Sequence, residues 1–228
     1  MNWLLSIALL IAADLPYRVG AVLYSDDFSN TENWTSELEK PGVVEAKDGA
    51  MNIDVPAGAT IWFRHQLTGP IMIEYEASVL KAGGPNDRVS DLNCFWMAND
   101  SRSPGDLFAT RRSGKFADYN QLLTYYVGQG GNDNSTTRFR RYIGRQDNRP
   151  LLPEHDLRSP EFLLQPNVSQ RIQLVAFNNQ IQYLRDGRTI FDFTDPAPYT
   201  QGYFAFRTTD AHLRIRHFRV YRLSAPEP

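Results

Sequence analysis

The sequence has very little cysteine and very little lysine. Cys94 is the one cysteine in 228 residues, so no internal disulfide can form. Its place within an apolar strand pattern favours a small buried hydrophobe over a catalytic thiol. Four of the 24 basic residues are lysines, which leaves 20 arginines. Arginine binds carboxylates and sulfates through two parallel hydrogen bonds, which lysine cannot do. A genome that prefers arginine would produce the same composition.

The chain also lacks a strong excess of either charge and lacks the common cofactor motifs. A formal net charge of −2 provides no field of the kind that duplex binders use, so we expect no nucleic-acid partner. No histidine pair has zinc-site spacing, and no nucleophile elbow, phosphate loop or dinucleotide fingerprint is present. We therefore expect no cofactor. The oxygen-rich stretch of residues 132 to 134 is a candidate for a structural calcium ion, but it lacks the glycine and distal Glu of a calcium loop, and a polar turn is the alternative.

Long apolar runs are missing except for residues 3 to 13, which are too few for a bilayer span of about 20 residues. This run and the small residues after it predict a signal peptide in residues 1–21, with the mature chain beginning near Asp14 or Val22. The segment before the run has no Lys or Arg, so a cytosolic protein with an apolar arm is the alternative. We expect export to the periplasm or the extracellular space, and no membrane span.

Helical periodicity is scarce, whereas alternation of apolar and polar residues recurs between turn signals. In "IMIEYEASVL" the odd-numbered residues from Ile71 to Val79 are apolar and the even-numbered ones include Glu74 and Glu76, which is typical of an antiparallel strand with one buried side. The dipeptides Asp48-Gly49 and Asp186-Gly187 predict hairpins. In the last strand the apolar positions change parity, which predicts a β-bulge near His217. We expect one all-β domain over residues 22–224.

Several stretches resemble known proteins. The meander "RIQLVAFNNQIQYLRDGRTIFDF", the strand "YFAFRT" and the closing "LRIRHFRVYRL" resemble the C-terminal half of concanavalin-like jelly rolls, in which an opening segment such as "DDFSNTENW" pairs with the closing strand. The stretches "GGPNDRVSDLNCFWMA" and "RPLLPEHDL" are similar to a bacterial family of secreted domains of unknown function, number 6250, related to proteins of plant-polysaccharide degradation loci. The resemblance covers about residues 24 to 222. It implies a two-sheet antiparallel jelly-roll sandwich with an oligo- or polysaccharide as partner, and it implies no reaction.

Polar side chains alternate with core residues on three predicted strands. Arg138, Arg140 and Tyr142 share one face of "RFRRY", Tyr126 lies on the polar side of "LLTYYV", and Asn93 lies opposite Cys94. On a shared concave sheet these side chains would form a glycan groove. The charged entry to the first of these strands would lie at its rim; this entry comprises Asp87, Arg88 and Asp91. Alternatively, Asp87 and Arg88 pair across a tight turn and Asn93 satisfies a buried backbone group.

His155 lies between Glu154 and Asp156 in "LLPEHDL", and a carboxylate beside an imidazole can raise its pKa towards the range of a general base or acid. With Tyr126 and Arg140 it matches the needs of β-elimination from a uronic acid, namely two proton-transfer groups and a cation that neutralises the carboxylate. The sequence thus predicts a polysaccharide lyase on an acidic plant or bacterial glycan. His155, Tyr126 and Arg140 would be catalytic. The substrate-binding residues would be Arg88, Asn93, Arg138, Tyr142, Asp87 and Asp91.

Three other functions stay open. Glu74 and Glu76 alternate along one strand and could act as the paired carboxylates of a glycoside hydrolase. Laminarinase-type jelly rolls carry a Glu-x-Asp-x-x-Glu strand, and the Asp and the third Glu of that motif are missing here. Elimination from an oxidised, keto-sugar glycoside would need similar groups. A non-catalytic carbohydrate-binding module would stack Trp62, Trp96, Tyr126 and Tyr142 on sugar rings, whereas plain core packing is the alternative for the two tryptophans.

Overall fold

The computed structural model describes residues 16–226, and these form an antiparallel β-sandwich. Two long strands contribute to both of its layers, because each pairs with different neighbours along its length. These strands are β4 (Ala50–Phe63) and β14 (Gln201–Ser224). Four short 3-10 turns and one helical turn lie in the loops: Leu107–Ala109, Phe116–Tyr119, Pro153–His155, Pro160–Phe162 and Gly131–Asn134.

The front layer follows the order β10-β9-β8-β7-β14-β4-β2. Its further strands are β10 (Asp156–Leu157), β9 (Thr136–Ile143), β8 (Leu122–Gly130), β7 (Leu92–Asp100) and β2 (Trp34–Leu38).

The back layer follows the order β14-β6-β11-β12-β13, with β1 beside the last part of β14 and β3 beside the first part of β4. Its strands are β1 (Arg18–Asp26), β3 (Val43–Lys47), β6 (Ile71–Val79), β11 (Gln170–Phe177), β12 (Gln180–Arg185) and β13 (Arg188–Thr194), and the short β5 (Leu67–Thr68) pairs with the start of β14.

The core lies between the two layers. Phe139 of β9 and Phe191 of β13 come from strands near opposite ends of the strand order, yet their ring centroids are 5.9 Å apart. The sheet therefore curls until its two ends meet across the core. The predicted fold class, an antiparallel jelly-roll sandwich, is confirmed. An opening strand does pair with the closing one, and Tyr24 faces Val220 in this pair, but the strand is β1 and not the predicted segment "DDFSNTENW". Of that segment only Asp26 pairs with β14, and Trp34 pairs with β4.

Local sequence signals account for most of the register. The odd-numbered residues of β6 are buried, and Glu74 and Glu76 are only partly buried. Asp48-Gly49 and Asp186-Gly187 have the positive φ angles of hairpin turns. At His217, φ is +54° and the pairing of β14 with β6 skips between Arg216 and Arg219, which returns Phe218 to the core. The predicted bulge is confirmed.

A second bulge was not expected. Met97 has φ of +54°, and the pairing of β7 with β8 shifts between Trp96 and Asn99. Strict alternation would place Met97 on the face of Asn93 and Phe95, but the bulge turns Met97 into the core. The helical turns of residues 16–226 fall short of the length and hydrophobicity that a membrane-spanning helix needs.

The start of β1 bears on the predicted signal peptide. Residues 1–15 lie outside the described part of the chain, and β1 begins at Arg18, before the expected boundary at residue 22. Tyr17 is buried, and its hydroxyl lies 3.3 Å from Gln182 Oε1. Residues 17 to 21 are therefore part of the folded domain.

Candidate functional site

A cavity of about 410 Å³ opens on the outer face of the front layer. Two cross-strand rows of side chains cross this face, because neighbouring strands place their paired residues side by side. The first row runs through Thr60, Arg207, Asn93, Gly128 and Arg138. The second row runs through Trp62, Ala205, Phe95, Tyr126 and Arg140. The floor of the cavity is formed by the last residues of each row, from Arg207 to Arg138 in the first and from Tyr126 to Arg140 in the second. We call this cavity the arginine groove, since its lining includes Arg138, Arg140, Arg149 and Arg207.

The arginine groove is deepest in the middle of the first row, because Gly128 has no side chain there. A Cβ atom at this position would lie 2.8 Å from the Tyr126 hydroxyl oxygen and 3.0 Å from its ring. Any larger residue would meet the tyrosine that precedes it on the same face of β8. The absence of a side chain at Gly128 therefore leaves room between Asn93 and Arg138 for a ligand.

Arg207 is the deepest cation of the groove and is 2% exposed. Its Nη1 donates to Gly114 O at 2.6 Å and to Thr60 Oγ1 at 3.0 Å. Its guanidinium carbon lies 5.0 Å from the centre of the Tyr119 ring and 5.5 Å from that of Phe116. These contacts hold Arg207 in place but do not neutralise its charge.

Arg140 and Arg149 form the side of the groove nearest β9. Arg140 Nη1 donates to the backbone carbonyl of Arg149, and the Arg149 guanidinium lies over Phe116 at 4.9 Å. Burial lowers the pKa of Arg140, and the neighbouring charges of Arg149 and Arg138 lower it further. Partial burial beside like charges is a setting in which an anionic ligand would relieve repulsion.

The charges of the groove do not balance. Arg138 is paired with Asp156 at 2.8 Å, and Asp91 is paired with Arg88 at 2.7 Å. Within residues 16–226, no carboxylate lies within ion-pair distance of Arg140, Arg149 or Arg207. Glu39 also lines the groove, where its Oε2 accepts from Gly58 N at 3.2 Å. The groove is therefore electropositive, although the whole chain carries a formal charge of −2.

Tyr126 and Tyr142 lie side by side at the β8 and β9 end of the second row. Burial raises the pKa of Tyr126 well above 10, and the neighbouring Tyr142 and Asp91 raise it further. The Tyr126 hydroxyl makes no hydrogen bond to any other described residue, and the ring lines the groove. Tyr142 is fully buried beneath it, so it supports the groove instead of contacting a ligand as predicted.

The charged entry to β7 divides into two parts. Asp91 lines the groove, and Arg88 fastens it from behind while also contacting Asp133 and the carbonyls of Thr209 and Asp210. Asp87 faces away from the groove. Its Oδ2 accepts from the backbone of Ala82 and Gly84, and its Oδ1 lies 3.0 Å from His212 Nδ1.

These contacts settle the position of the entry. The backbone hydrogen bonds from Ala82 and Gly84 hold the pKa of Asp87 down to about 2. The substrate-binding role predicted for Asp87 and Arg88 is not supported by their positions, because Asp87 caps a turn and Arg88 is occupied by carboxylates and carbonyls. The alternative, a pairing of Asp87 with Arg88 across a tight turn, is also absent from the described ion pairs.

His155 lies on the other side of β9. It is 6% exposed, and its ring centroid is 4.9 Å from that of Phe139, 5.7 Å from Phe191 and 5.8 Å from Phe193. Burial lowers the pKa of His155, which outweighs the opposite effect of Glu154. The sequence predicted a raised pKa and a place in the groove, and the structure gives neither, because Phe139 and Arg140 point to opposite faces of the same strand.

Other predicted chemistry is absent from the groove. Glu74 and Glu76 lie on β6 in the back layer, where Glu74 accepts from Gln173 at 2.9 Å and Glu76 faces His217 at 3.1 Å. Burial raises the pKa of Cys94 to about 12, as expected for an inert thiol. No group of three or more metal-ligating side chains occurs in the described part of the chain, and residues 132 to 134 form a left-handed turn.

A loop of residues 101 to 121 forms one wall of the groove and is held by a buried ion network. Arg112, whose side chain is fully buried, lies 3.0 Å from Asp100 and 3.0 Å from Glu37. Glu37 also accepts from Trp62 Nε1 at 2.9 Å and from the Tyr119 hydroxyl at 2.8 Å. The loop thus presents Gly114 O to Arg207 and the Phe116 ring to the groove. Trp96 belongs to the core between the layers, whereas Trp62 is buried in a second apolar cluster beneath this loop, with Phe95 and Tyr119.

Sequence reasoning missed several residues of the groove: Arg207, Arg149, Phe116, Glu39, Thr136 and Thr209. Arg207 carried a usable signal, because it alternates with Phe204 and Phe206 in "YFAFRT" and so belongs to a non-core face. Its proximity to Asn93 depends on the pairing of β14 with β7, which no local pattern indicates.

Comparisons with known proteins agree with this architecture. A family model described as Domain of unknown function (DUF6250) matches residues 53–218. No curated protein matches the chain. A Bacillus subtilis protein of unknown function with a galectin-like fold is 18% identical with a TM-score of 0.72, over 92% of this chain and 100% of the other.

Two other solved structures show the same fold. The carbohydrate-binding module CBM66 from Bacillus subtilis is 11% identical with a TM-score of 0.56, over 85% of this chain and 97% of its own. The endo-β-1,3-glucanase from Pyrococcus furiosus is 12% identical with a TM-score of 0.55, over 92% of this chain and 96% of its own. At these identities the likeness concerns the fold.

Proposed function

The chain belongs to the family described as Domain of unknown function (DUF6250), and we propose that this member binds an acidic oligo- or polysaccharide in the arginine groove. The observation that carries the proposal is the set of three arginines, Arg140, Arg149 and Arg207, that reach one cavity without a carboxylate partner among the described residues. Guanidinium groups bind carboxylate and sulfate through paired hydrogen bonds, and partial burial strengthens such contacts.

The remaining lining suits a sugar better than a bare anion. Asn93, Thr136 and Thr209 supply amide and hydroxyl groups for ring hydroxyls, and Phe116 supplies an apolar ring. Two solved structures that share this fold are, by their names, a carbohydrate-binding module and a glucanase. Both features support a saccharide ligand, and the three arginines support a negative charge on it.

Binding is tested with a panel of glycans matched in backbone but different in charge. Isothermal titration should show binding of oligogalacturonates and of sulfated β-1,3-glucan oligosaccharides, and much weaker binding of their uncharged counterparts, fully methyl-esterified oligogalacturonates and neutral β-1,3-glucan oligosaccharides. The affinity should fall as sodium chloride is raised, because exposed parts of the ion contacts are screened. Equal affinity for neutral and acidic members would refute the proposal.

A second candidate, β-elimination by a lyase, is favoured by Tyr126. Its hydroxyl has no hydrogen-bond partner among residues 16–226, and it shares the groove with the arginines that would neutralise a uronate carboxylate. The raised pKa keeps the phenol neutral at neutral pH, which suits proton donation to a leaving oxygen better than abstraction of the C5 proton. His155 is not available as the base, and this weakens the lyase relative to the binding protein.

One measurement separates the two candidates. Incubation with the acidic glycans that bind should be followed by absorbance near 235 nm, where the unsaturated product of elimination absorbs. A lyase gives a rise that Tyr126→Phe reduces by about 10²- to 10⁴-fold, the usual contribution of an acid-base group. A binding protein gives no rise while Tyr126→Phe keeps most of its affinity.

A further inference from the structure

Asn93 holds a buried acceptor that the protein leaves without a donor. The residue is 4% exposed and lines the arginine groove at the centre of its first row. Its Nδ2 donates to Asp91 Oδ1 at 3.1 Å. Its Oδ1 is buried, and no donor of the described residues reaches it. Buried polar atoms without partners are rare in folded proteins, so this one calls for an explanation.

Exchanging the positions of the amide oxygen and the NH₂ group of Asn93 would not remove the unpaired acceptor. A carboxylate accepts hydrogen bonds and donates none, so Asp91 requires the NH₂ group of Asn93 on its side. Asp91 is itself held by Arg88 Nη2 at 2.7 Å and by the Ser90 hydroxyl at 2.6 Å. The carbonyl of Asn93 therefore stays as the group that is left over for the groove.

The surroundings of this carbonyl define what would satisfy it. Arg207 and Gly128 are its neighbours across the strands, and Arg138 lies beyond Gly128. A ligand anchored by its negative charge on the arginines would lie over the gap at Gly128. Only a hydrogen-bond donor on the same ligand, such as a ring hydroxyl, would also pair with Asn93 Oδ1.

Building on the proposed function, we propose that Asn93 selects uronic acid residues with a free ring hydroxyl over anions that carry no donor near the charge. The groove then binds two groups of the same ligand: the arginines bind its carboxylate, and Asn93 Oδ1 accepts a hydrogen bond from one of its hydroxyls. A site built to pair with a hydroxyl discriminates against analogues that lack it, because its own polar group is then left unsatisfied.

The test measures the affinity of the wild type and of two variants for each of four ligands, by isothermal titration or ligand-observed NMR. The ligands are the methyl glycosides of galacturonate and glucuronate, oxane-2-carboxylate as an anion without hydroxyls, and methyl galactoside as a neutral sugar. In Asn93→Ala the preference for the uronosides over oxane-2-carboxylate should shrink by about 3- to 10-fold, the usual worth of one hydrogen bond. Asn99→Ala, on the same strand but outside the cavity, should keep the preference of the wild type.

The outcomes separate this inference from the function on which it rests. If the wild type binds neither uronoside, the selectivity of Asn93 is refuted, and the titration with charged and uncharged oligosaccharides decides separately whether the groove binds acidic glycans. If it binds them and a folded Asn93→Ala keeps the full preference, the selectivity of Asn93 is refuted while acidic-glycan binding stands. If Asn93→Ala does not fold, the wild type is titrated instead with uronosides in which one ring hydroxyl at a time is methylated. At least one of them should bind about threefold more weakly than the unmethylated uronoside. The inference fails if all of them bind as tightly as the unmethylated uronoside.

Discussion

At the scale of single residues, the groove is defined by side chains whose charges are not balanced. Arg138 and Asp91 are neutralised by partners, whereas Arg140, Arg149 and Arg207 are held by carbonyls and aromatic rings. Carbonyl and ring contacts orient a guanidinium without cancelling its charge. The arginines are therefore held in position for an anion, and each should contribute to affinity more than to folding.

Arg140→Met and Arg149→Met should each weaken binding of acidic oligosaccharides by about 10-fold or more, since a hydrogen bond to a charged group contributes about 1.5–3 kcal/mol. Arg158→Met is the control, because Arg158 is 64% exposed in its side chain and pairs with Asp156 outside the groove. Isothermal titration measures the change. Unchanged affinity in both groove variants would place the ligand elsewhere.

Gly128→Ala should reduce binding by crowding the groove. The new methyl group would lie within 3 Å of the Tyr126 hydroxyl and ring, so the tyrosine must move into the cavity or the strand must shift. Overpacking of this kind costs about 1–3 kcal/mol. Gly131→Ala is the matched control in the same lining, since its Cβ would meet nothing closer than 3.6 Å. Urea unfolding and titration of both variants make the comparison, and equal behaviour would contradict the role of Gly128.

His155 should affect stability at low pH and not binding at neutral pH. Burial holds its pKa below the 6.5 of the unfolded chain, so the unfolded chain takes up the proton first as the pH falls. The free energy of unfolding contributed by neutral His155 is thus present above about pH 6.5 and is lost below it. His155→Phe, which fits the surrounding aromatic rings, should show less loss between about pH 7 and pH 5 in urea unfolding.

The same variant tests the predicted catalytic role. His155→Phe should leave ligand affinity, and any absorbance rise near 235 nm, within about twofold of the wild type, because the residue lies across β9 from the groove. A large loss of turnover in a folded His155→Phe chain would show that this assignment is wrong.

At the scale of elements, the wall formed by residues 101 to 121 depends on the network around Arg112. This arginine joins the loop to Asp100 at the end of β7 and to Glu37 on β2. Removal of one member of a buried ion pair leaves an uncompensated charge, which is more costly than the pair is stabilising. The network therefore fixes the positions of Gly114 and Phe116 against Arg207.

Arg112→Ala should lower the free energy of unfolding by about 3–5 kcal/mol and should also weaken ligand binding, because Gly114 O would no longer hold Arg207. Arg102→Ala is the control on the same carboxylate, since Arg102 also pairs with Asp100 but its side chain is 36% exposed. An exposed pair contributes about 1 kcal/mol or less. Urea unfolding gives the stabilities, and a small effect of Arg112→Ala would mean that the loop is held by its other contacts.

At the scale of the whole molecule, the first and last strands of the sandwich pair with each other. β1 lies against the last part of β14, with Arg18 facing Ser224 and Val19 facing Leu223. Tyr17 packs against Phe177 on the back layer with ring centroids 5.6 Å apart. A mature chain that begins near Asp14 keeps these contacts, and one that begins at Val22 loses them.

A chain that starts at Val22 should therefore be less stable than one that starts at Asp14 by about 2 kcal/mol or more, the value of one large buried side chain. Tyr17→Ala in the longer chain is the control that isolates the tyrosine. If the protein is exported and cleaved, the intact mass of the secreted form should place its N-terminus before Tyr17. Equal stability of the two chains would show that the start of β1 does not contribute.

Much of the fold follows from short-range signals. Alternation predicted the buried face of β6 and the opposite faces of Phe139 and Arg140, and a change of parity predicted the bulge at His217. These features depend on neighbours in sequence, because side chains alternate along any extended strand and a bulge is the way to change parity. The same signals placed Asn93, Tyr126, Arg138 and Arg140 on one surface.

The rest depended on which distant segments meet. Arg207 lies beside Asn93 because β14 pairs with β7, and Arg149 enters the groove because a loop returns over β9. His155 follows that loop to the other face, where burial lowers the pKa that its flanking carboxylates were expected to raise. Strand partners and loop paths are chosen by the packing of the whole core, so a local pattern indicates the face of a residue but not the neighbours that give it its chemistry.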